Sequence, residues 1–198
     1  MGIKRKQTSL LTKEIVTEQL LQQHLRGWKS NPKYIVENLY VFGWESDMLI
    51  MTRSGYWYEL ECKISFTDFK NDFTHKRQKH ELLKTGDEKH RRPNYFYYCV
   101  PWYLSEKVLP LLPDYAGLIV LTENGRLNEV KRAPCLHKQK YTNEELKLCD
   151  KFYYAYRNWK LAMERHQSSV DIKRLKDEID FLKAEYKAVA GCDIKDVF

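Results

Sequence analysis

The hydrophobic positions fall into segments of two different periods. Leu10, Leu11, Ile15, Leu20, Leu21 and Leu25 recur at helical spacing and predict a first helix over 10–26. The stretch Gly27 to Pro32 breaks it, and Tyr34 to Phe42 reads as a strand interrupted by Glu37. Asp47 to Thr52 is apolar enough for a buried strand, and Tyr56 to Ile64 alternates and is rich in aromatic residues. Between them, Arg53-Ser54-Gly55 suits a three-residue hairpin loop, because the glycine accepts positive φ. Helical spacing returns from Ser65 to Leu83 through Phe66, Phe69, Phe73, His80 and Leu83, with Ser65 and Asp68 at capping-box separation. Tyr95 to Val100 is almost continuously apolar, as in a strand covered on both faces. A short helix is expected from Trp102 to Leu112, then a strand at 116–121, a type I′ turn at Asn124-Gly125 and a returning strand at 127–133.

After His137-Lys138-Gln139-Lys140 only helical patterns remain. Thr142 and Glu145 have capping-box spacing, and Leu146, Cys149, Phe152, Tyr153, Tyr156 and Met163 form a stripe. A break is expected at His166-Gln167-Ser168-Ser169. Beyond it Ile172, Leu175, Ile179, Leu182, Tyr186 and Val189 alternate steps of three and four, which is heptad spacing, up to Gly191. The expected organisation is an α/β core over 1–138, a mixed central sheet flanked by helices, and a C-terminal helical appendage over 139–198. That appendage folds as a hairpin, docks on the core, or pairs two chains into a homodimer.

Composition narrows the class. A chain of 198 residues with 14% aromatic content holds one substantial core and is not a disordered tail. The net charge of +7 fits a polyanionic partner without identifying one. Five scattered cysteines with no C-x-x-C pair argue against a zinc site or a disulfide framework and point to a reducing, cytoplasmic setting. The basic start Met1-Gly2-Ile3-Lys4-Arg5-Lys6 lacks a signal-peptide apolar core, and no run is long enough to cross a membrane, so no membrane partner is expected.

The chemistry concentrates in the central hairpin. With a three-residue loop, Thr52 faces Tyr56 and Asp47 lies opposite Glu61, both on the face that also carries Glu59 and Lys63. Two opposed carboxylates repel, and a divalent cation between them removes that cost, hard cations such as Mg²⁺ preferring oxygen ligands. Lys63 adds a positive charge aimed at the same place, a combination suited to phosphodiester hydrolysis. The competing reading is a solvated hairpin face with an ordinary Glu-Lys pair. On the following helix Lys70, Lys76, Arg77 and Lys79, and on the charged loop over 85–93 Arg91 and Arg92, are candidate contacts to a phosphate backbone. His75, His80 and His90 lack metal-ligand spacing.

Asp47 followed by Glu61-Cys62-Lys63 resembles the motif of the PD-(D/E)XK nuclease superfamily, with Trp44-Glu45-Ser46-Asp47 standing where that family has its Pro-Asp and the proline absent. The continuation Lys63-Ile64-Ser65-Phe66-Thr67-Asp68-Phe69-Lys70-Asn71-Asp72-Phe73, with Lys79-His80-Glu81, resembles MmcB-like proteins, proposed DNA-repair nucleases, and related phage proteins. The resemblance spans roughly 10–138. It implies a restriction-endonuclease-like fold. Asp47, Glu61 and the Cys62 carbonyl would bind Mg²⁺ or Mn²⁺, and Lys63 would orient or deprotonate the attacking water. Glu14 or Glu18 on the first helix could be an auxiliary acid, although an exposed glutamate pair is the reading the pattern favours for both. The implied function is metal-dependent hydrolysis of DNA in repair, recombination or phage DNA processing. A non-catalytic nucleic-acid-binding module on the same fold, or a dimeric scaffold held by residues 142–190, are the alternatives.

Overall fold

The computed structural model describes residues 12–25, 32–86 and 90–190. Its elements run α1 (Lys13–Leu25), β1 (Pro32–Tyr40), β2 (Glu45–Thr52), β3 (Trp57–Cys62), α2 (Phe66–His75), α3 (Arg77–Thr85), β4 (Tyr95–Pro101), α4 (Ser105–Val108, inside a 3₁₀-flanked run), β5 (Ala116–Leu121), β6 (Leu127–Lys131) and α5 (Leu148–Ala190). The six strands lie in sequence order, antiparallel from β1 to β3 and from β5 to β6, and parallel from β3 through β5. Parallel neighbours need crossovers, and α2–α3 and α4 supply them.

Side-chain alternation along the strands divides the core. Met48, Ile50, Leu60, Cys62, Tyr97, Cys99, Ile119 and Leu121 pack on one face with Val16 and Leu20 of α1. Phe96, Tyr98, Val100, Leu118 and Val120 pack on the other with Phe69, Leu83, Leu104 and Val108. The fold is therefore α/β, a mixed sheet with helices on both sides, as the sequence pattern predicts.

The central hairpin has the expected register: Met48 pairs with Leu60 and Ile50 with Tyr58, and Thr52 N donates to Tyr56 O at 2.9 Å around Gly55 at φ 86°. The second hairpin uses the same three-residue loop rather than the expected type I′ turn. Thr122 N donates to Arg126 O at 2.8 Å, and in the loop Gly125 takes positive φ while Asn124 does not. A type I′ turn needs positive φ at both central residues.

Three helical expectations change. In α1 Leu20 is buried and Leu21 packs on the core as the spacing expects, but Ile15 is 45% exposed and Val16 and His24 take buried positions beside Leu20; Leu10 and Leu11 lie outside the described residues. The long helix after β3 is two helices, because Lys76 leaves helical geometry (φ −112°, ψ 37°) between them. The break expected at 166–169 is absent: α5 runs unbroken from Leu148 to Ala190. No Pro or Gly interrupts that stretch, and Ser168 Oγ donates back to Glu164 O at 2.9 Å, satisfying its hydroxyl within the helix. The Thr142–Glu145 capping box does form, by reciprocal bonds of 2.7 and 3.1 Å.

The chain divides into two compact units, 1–151 and 152–198. Buried Asn94 joins the segment after β6 to the core, accepting from Trp57 N and donating to the carbonyls of His137 and Gln139 at 2.8–2.9 Å. Tyr141, Leu146 and Leu148 are buried as well. Gly117 marks the tightest packing in the sheet: a Cβ there would sit 2.4 Å from Tyr97 Cε1 and 2.6 Å from Ala133 N. Because the second neighbour is backbone, Gly117→Ala is expected to destabilise the core by about 1–3 kcal/mol, read as a lower urea midpoint with an unchanged slope.

Candidate functional site

The hairpin brings its acids to the face covered by α2 and α3. Glu59 pairs with Phe96 and Glu61 with Tyr98 across the parallel β3–β4 ladder, so both carboxylates project among the buried residues of that face, and both are fully buried. Charges cannot remain there without partners. The partners come from the helices around the break at Lys76: Asp72 lies in the last turn of α2, and Lys76, Lys79 and His80 follow four, seven and eight residues on.

Lys79 Nζ lies 2.7 Å from both Glu59 Oε1 and Glu61 Oε2, with its side chain only 2% exposed. Lys63 Nζ sits 3.0 Å from Glu61 Oε1 and 2.8 Å from Asp72 Oδ1, with the more exposed Asp68 at 3.8 Å. Lys76 reaches Glu61 Oε1 and stands 3.5 Å from Asp72. Asp72 Oδ2 accepts from Tyr98 OH at 2.8 Å and meets His80 Nε2 at 3.1 Å, and His80 Nδ1 meets Tyr115 OH at 2.7 Å. Trp44 Nε1 donates to both Glu59 oxygens, at 2.8 and 3.0 Å.

Asp47 stands at the margin of this cluster. Past the Met48–Leu60 pair the β2–β3 ladder ends, and Asp47 Oδ2 accepts from the Cys62 amide at 2.8 Å. Its Oδ1 takes Lys13 Nζ of α1 at 2.7 Å. One carboxylate is thus tied to the peptide that joins Glu61 to Cys62.

The electrostatics follow. Burial opposes ionisation of Glu61, but Lys79 and then Lys63 outweigh it and hold the carboxyl down at about 2. Burial opposes ionisation of Asp72 too, yet its bonds to His80 and Lys63 put it far below the ordinary carboxylate range. Burial works against charge on Lys63 and Lys79, and the facing carboxylates reverse this and push both upward. For Glu59 burial prevails over Lys79 and raises the carboxyl. Tyr98 is pushed up by burial and then by Asp72. A lysine acting as a base needs a depressed pKa, and Lys63 is shifted the opposite way. Its role in this arrangement is a fixed cation.

The residues predicted from sequence divide accordingly. Asp47, Glu61, Cys62 and Lys63 come together. Glu14 and Glu18 do not join them: both are exposed, Glu18 accepts from Gln22 at 2.8 Å, and the α1 residue that reaches the site is Lys13. Lys79 is a buried partner of Glu59 and Glu61 and is not presented to a phosphate backbone. Arg92 is structural as well, its guanidinium donating to the carbonyls of Leu82, Leu83 and Leu136 at 2.8–3.1 Å. Arg91 is exposed and donates to the Glu145 carbonyl. Lys70 and Arg77 are exposed, and Lys76 is partly exposed at the edge of the cluster.

Sequence reasoning missed Glu59, Asp72, Lys13 and His80 as members. The alternation Glu59-x-Glu61-x-Lys63 and the steps from Asp72 to Lys76 and Lys79 carried the first two. Nothing in the pattern around Lys13 pointed to it.

The donor chemistry fits a hard cation in part. Asp47 and Glu61 offer oxygen ligands, but Asp47 Oδ1 and Glu61 Oε1 already face ammonium groups, and among the described residues no set of three or more His, Cys, Asp or Glu side chains is arranged around a metal. Two facts reconcile these. Mg²⁺ typically takes only one or two carboxylates and completes its shell with water and substrate phosphate. Lys13, 43% exposed, and Lys76, 35% exposed, are free to leave Asp47 Oδ1 and Glu61 Oε1, whereas the enclosed Lys63 stays on Glu61 Oε1 at 3.0 Å and the enclosed Lys79 on Glu61 Oε2. Exchanging two monovalent cations for one divalent cation leaves the charge of the cluster unchanged.

No family model and no curated protein matches the chain. The fold is similar to that of a solved structure, the SPO1766 protein of unknown function from Silicibacter pomeroyi. The TM-score is 0.51 at 21% sequence identity, over 78% of this chain and 92% of that one. The likeness bears on the fold. Among the described residues no helix is long and apolar enough to cross a membrane.

Proposed function

We propose that the protein is a metal-dependent nuclease of the PD-(D/E)XK kind that hydrolyses DNA phosphodiester bonds. The observation that carries this reading is the convergence of Asp47, Glu61 and Lys63, with Asp47 bonded to the Cys62 amide inside the Glu61-Cys62-Lys63 motif. A cluster of buried carboxylates and lysines is a poor device for stability alone, since apolar residues of similar volume serve as well or better. Its presence at this spot supports chemistry.

Asp47 and Glu61 would hold Mg²⁺ or Mn²⁺ once the partly exposed Lys13 and Lys76 move aside. The bound ion supplies a water of lowered pKa and neutralises charge on the scissile phosphate. Lys63, held by Glu61 and Asp72, stabilises negative charge as it develops on the phosphate. Lys79 keeps Glu61 ionised and in place. Lys70, Arg77 and the released Lys76 contact the phosphate backbone, which agrees with the net charge of +7.

A second reading, a DNA-binding module without catalysis, is favoured by the ammoniums that occupy the carboxylate oxygens. Mn²⁺ titration followed by electron paramagnetic resonance separates the two. The nuclease reading expects one bound ion, lost in Glu61→Gln and bound more tightly when Lys13→Ala and Lys76→Ala remove the competing charges. No Mn²⁺ binding in any of these proteins, with DNA binding retained, would support the module.

A further inference from the structure

The second compact unit carries an interface of its own. Helix α5 has 43 residues, about 65 Å of helix at 1.5 Å per residue. In its distal half Ile172, Leu175, Ile179 and Leu182 are all 50–55% exposed. Written as heptads, Ile172 and Ile179 take position a, and Leu175 and Leu182 take position d. Isoleucine at a with leucine at d is the combination that favours two parallel strands.

The flanking charges supply the rest. Position g, before each isoleucine, is acidic: Asp171 and Glu178. Position e, after each leucine, is basic: Lys176 and Lys183. In a parallel pair each g residue meets the e residue five positions further along the partner, so Asp171 faces Lys176 and Glu178 faces Lys183 on both sides of the seam. In an antiparallel pair g meets g and e meets e, which sets acid against acid and lysine against lysine. Within one helix Lys183 makes an exposed 3.9 Å contact to Asp180, a pair weak enough to exchange for a partner's acid.

We infer that residues 171–183 of α5 form a parallel, in-register, two-stranded coiled coil with a second copy of this chain. The inference is independent of the nuclease reading, since it uses no residue of the acidic cluster. The seam is short, so pairing is expected to be reversible and dependent on concentration.

The test is sedimentation equilibrium of the full-length protein across a concentration series. The wild type is expected to approach twice its 23.8 kDa chain mass. Lys176→Glu with Lys183→Glu places acid against acid in the parallel pair and is expected to weaken self-association by at least about tenfold. Adding Asp171→Lys and Glu178→Lys to that chain restores the complementary pattern and should restore the dimer. Lys176, Glu178 and Lys183 are exposed and Asp171 is half-buried, and circular dichroism checks that helicity is retained. A wild type that stays at the monomer mass overturns the inference, as does a dimer indifferent to the first pair of substitutions.

Discussion

Asp47→Asn should lower DNA cleavage by about 100-fold or more while leaving the fold unchanged, because it removes a metal-binding charge whose structural partners tolerate the exchange. The Cys62 amide still finds a carbonyl oxygen, and Lys13 is exposed enough to return to solvent. The pair is part-buried, Asp47 11% and Lys13 43% exposed, and because the lysine can regain water its loss should cost about 1 kcal/mol, a small shift in melting temperature. Glu61→Ala is a less informative variant. It removes the carboxylate shared by Lys63, Lys76 and Lys79, so lost activity would be mixed with lost stability. Steady-state cleavage measured beside a thermal melt checks the prediction, and an Asp47→Asn protein with undiminished cleavage would remove this carboxylate from the site.

The second large effect is on stability. Lys79→Met should destabilise the protein by about 3–5 kcal/mol, because Glu59 and Glu61 are left facing each other in a buried place. For a chain of this size that is a fall in melting temperature of roughly 6–20 °C. The pH dependence has a definite sign. In the wild type Glu61 is held at about 2, below its ordinary 4.5, so its stabilising contribution is complete above 4.5 and is lost as the pH falls toward 2. Without Lys79 that depression shrinks. The gap between wild type and variant should therefore be widest at neutral pH and narrower near pH 3. Urea unfolding at the two pH values measures it, and a gap that widens in acid would contradict the assigned charge pairs.

Much of the architecture was legible in the residues. Period-two segments and turn glycines located the strands, and the Arg53-Ser54-Gly55 loop set the register that brings Asp47 to Glu61, since a slip of one residue would have put them on opposite faces. Helical detail was less legible for identifiable reasons. Ile15 and Val16 are adjacent apolar residues either of which can precede Leu20 on a buried face, and only tertiary packing chooses Val16. The turn at Lys76 has no Gly or Pro to announce it; it is held by the ion pairs it makes possible. Gln167-Ser168-Ser169 looked like a break because serine competes for backbone bonds, but here its hydroxyl is satisfied along the helix.

At the site, the acid–lysine motif was visible as local spacing, while its partners were not. Lys79 and Arg92 read as surface cations because charge usually means exposure. Their burial depends on carboxylates and carbonyls distant in sequence. Lys13 reaches Asp47 across 34 positions, a distance over which no periodicity speaks.

The central claim is tested most directly by cleavage of labelled duplex, single-stranded and branched DNAs, with Mg²⁺ or Mn²⁺, with EDTA, and with the Asp47→Asn protein in parallel. The account predicts cleavage of at least one substrate by the wild type, abolished by EDTA and by Asp47→Asn. Cleavage that persists in EDTA or in the variant, or DNA binding without cleavage of any substrate, would contradict it.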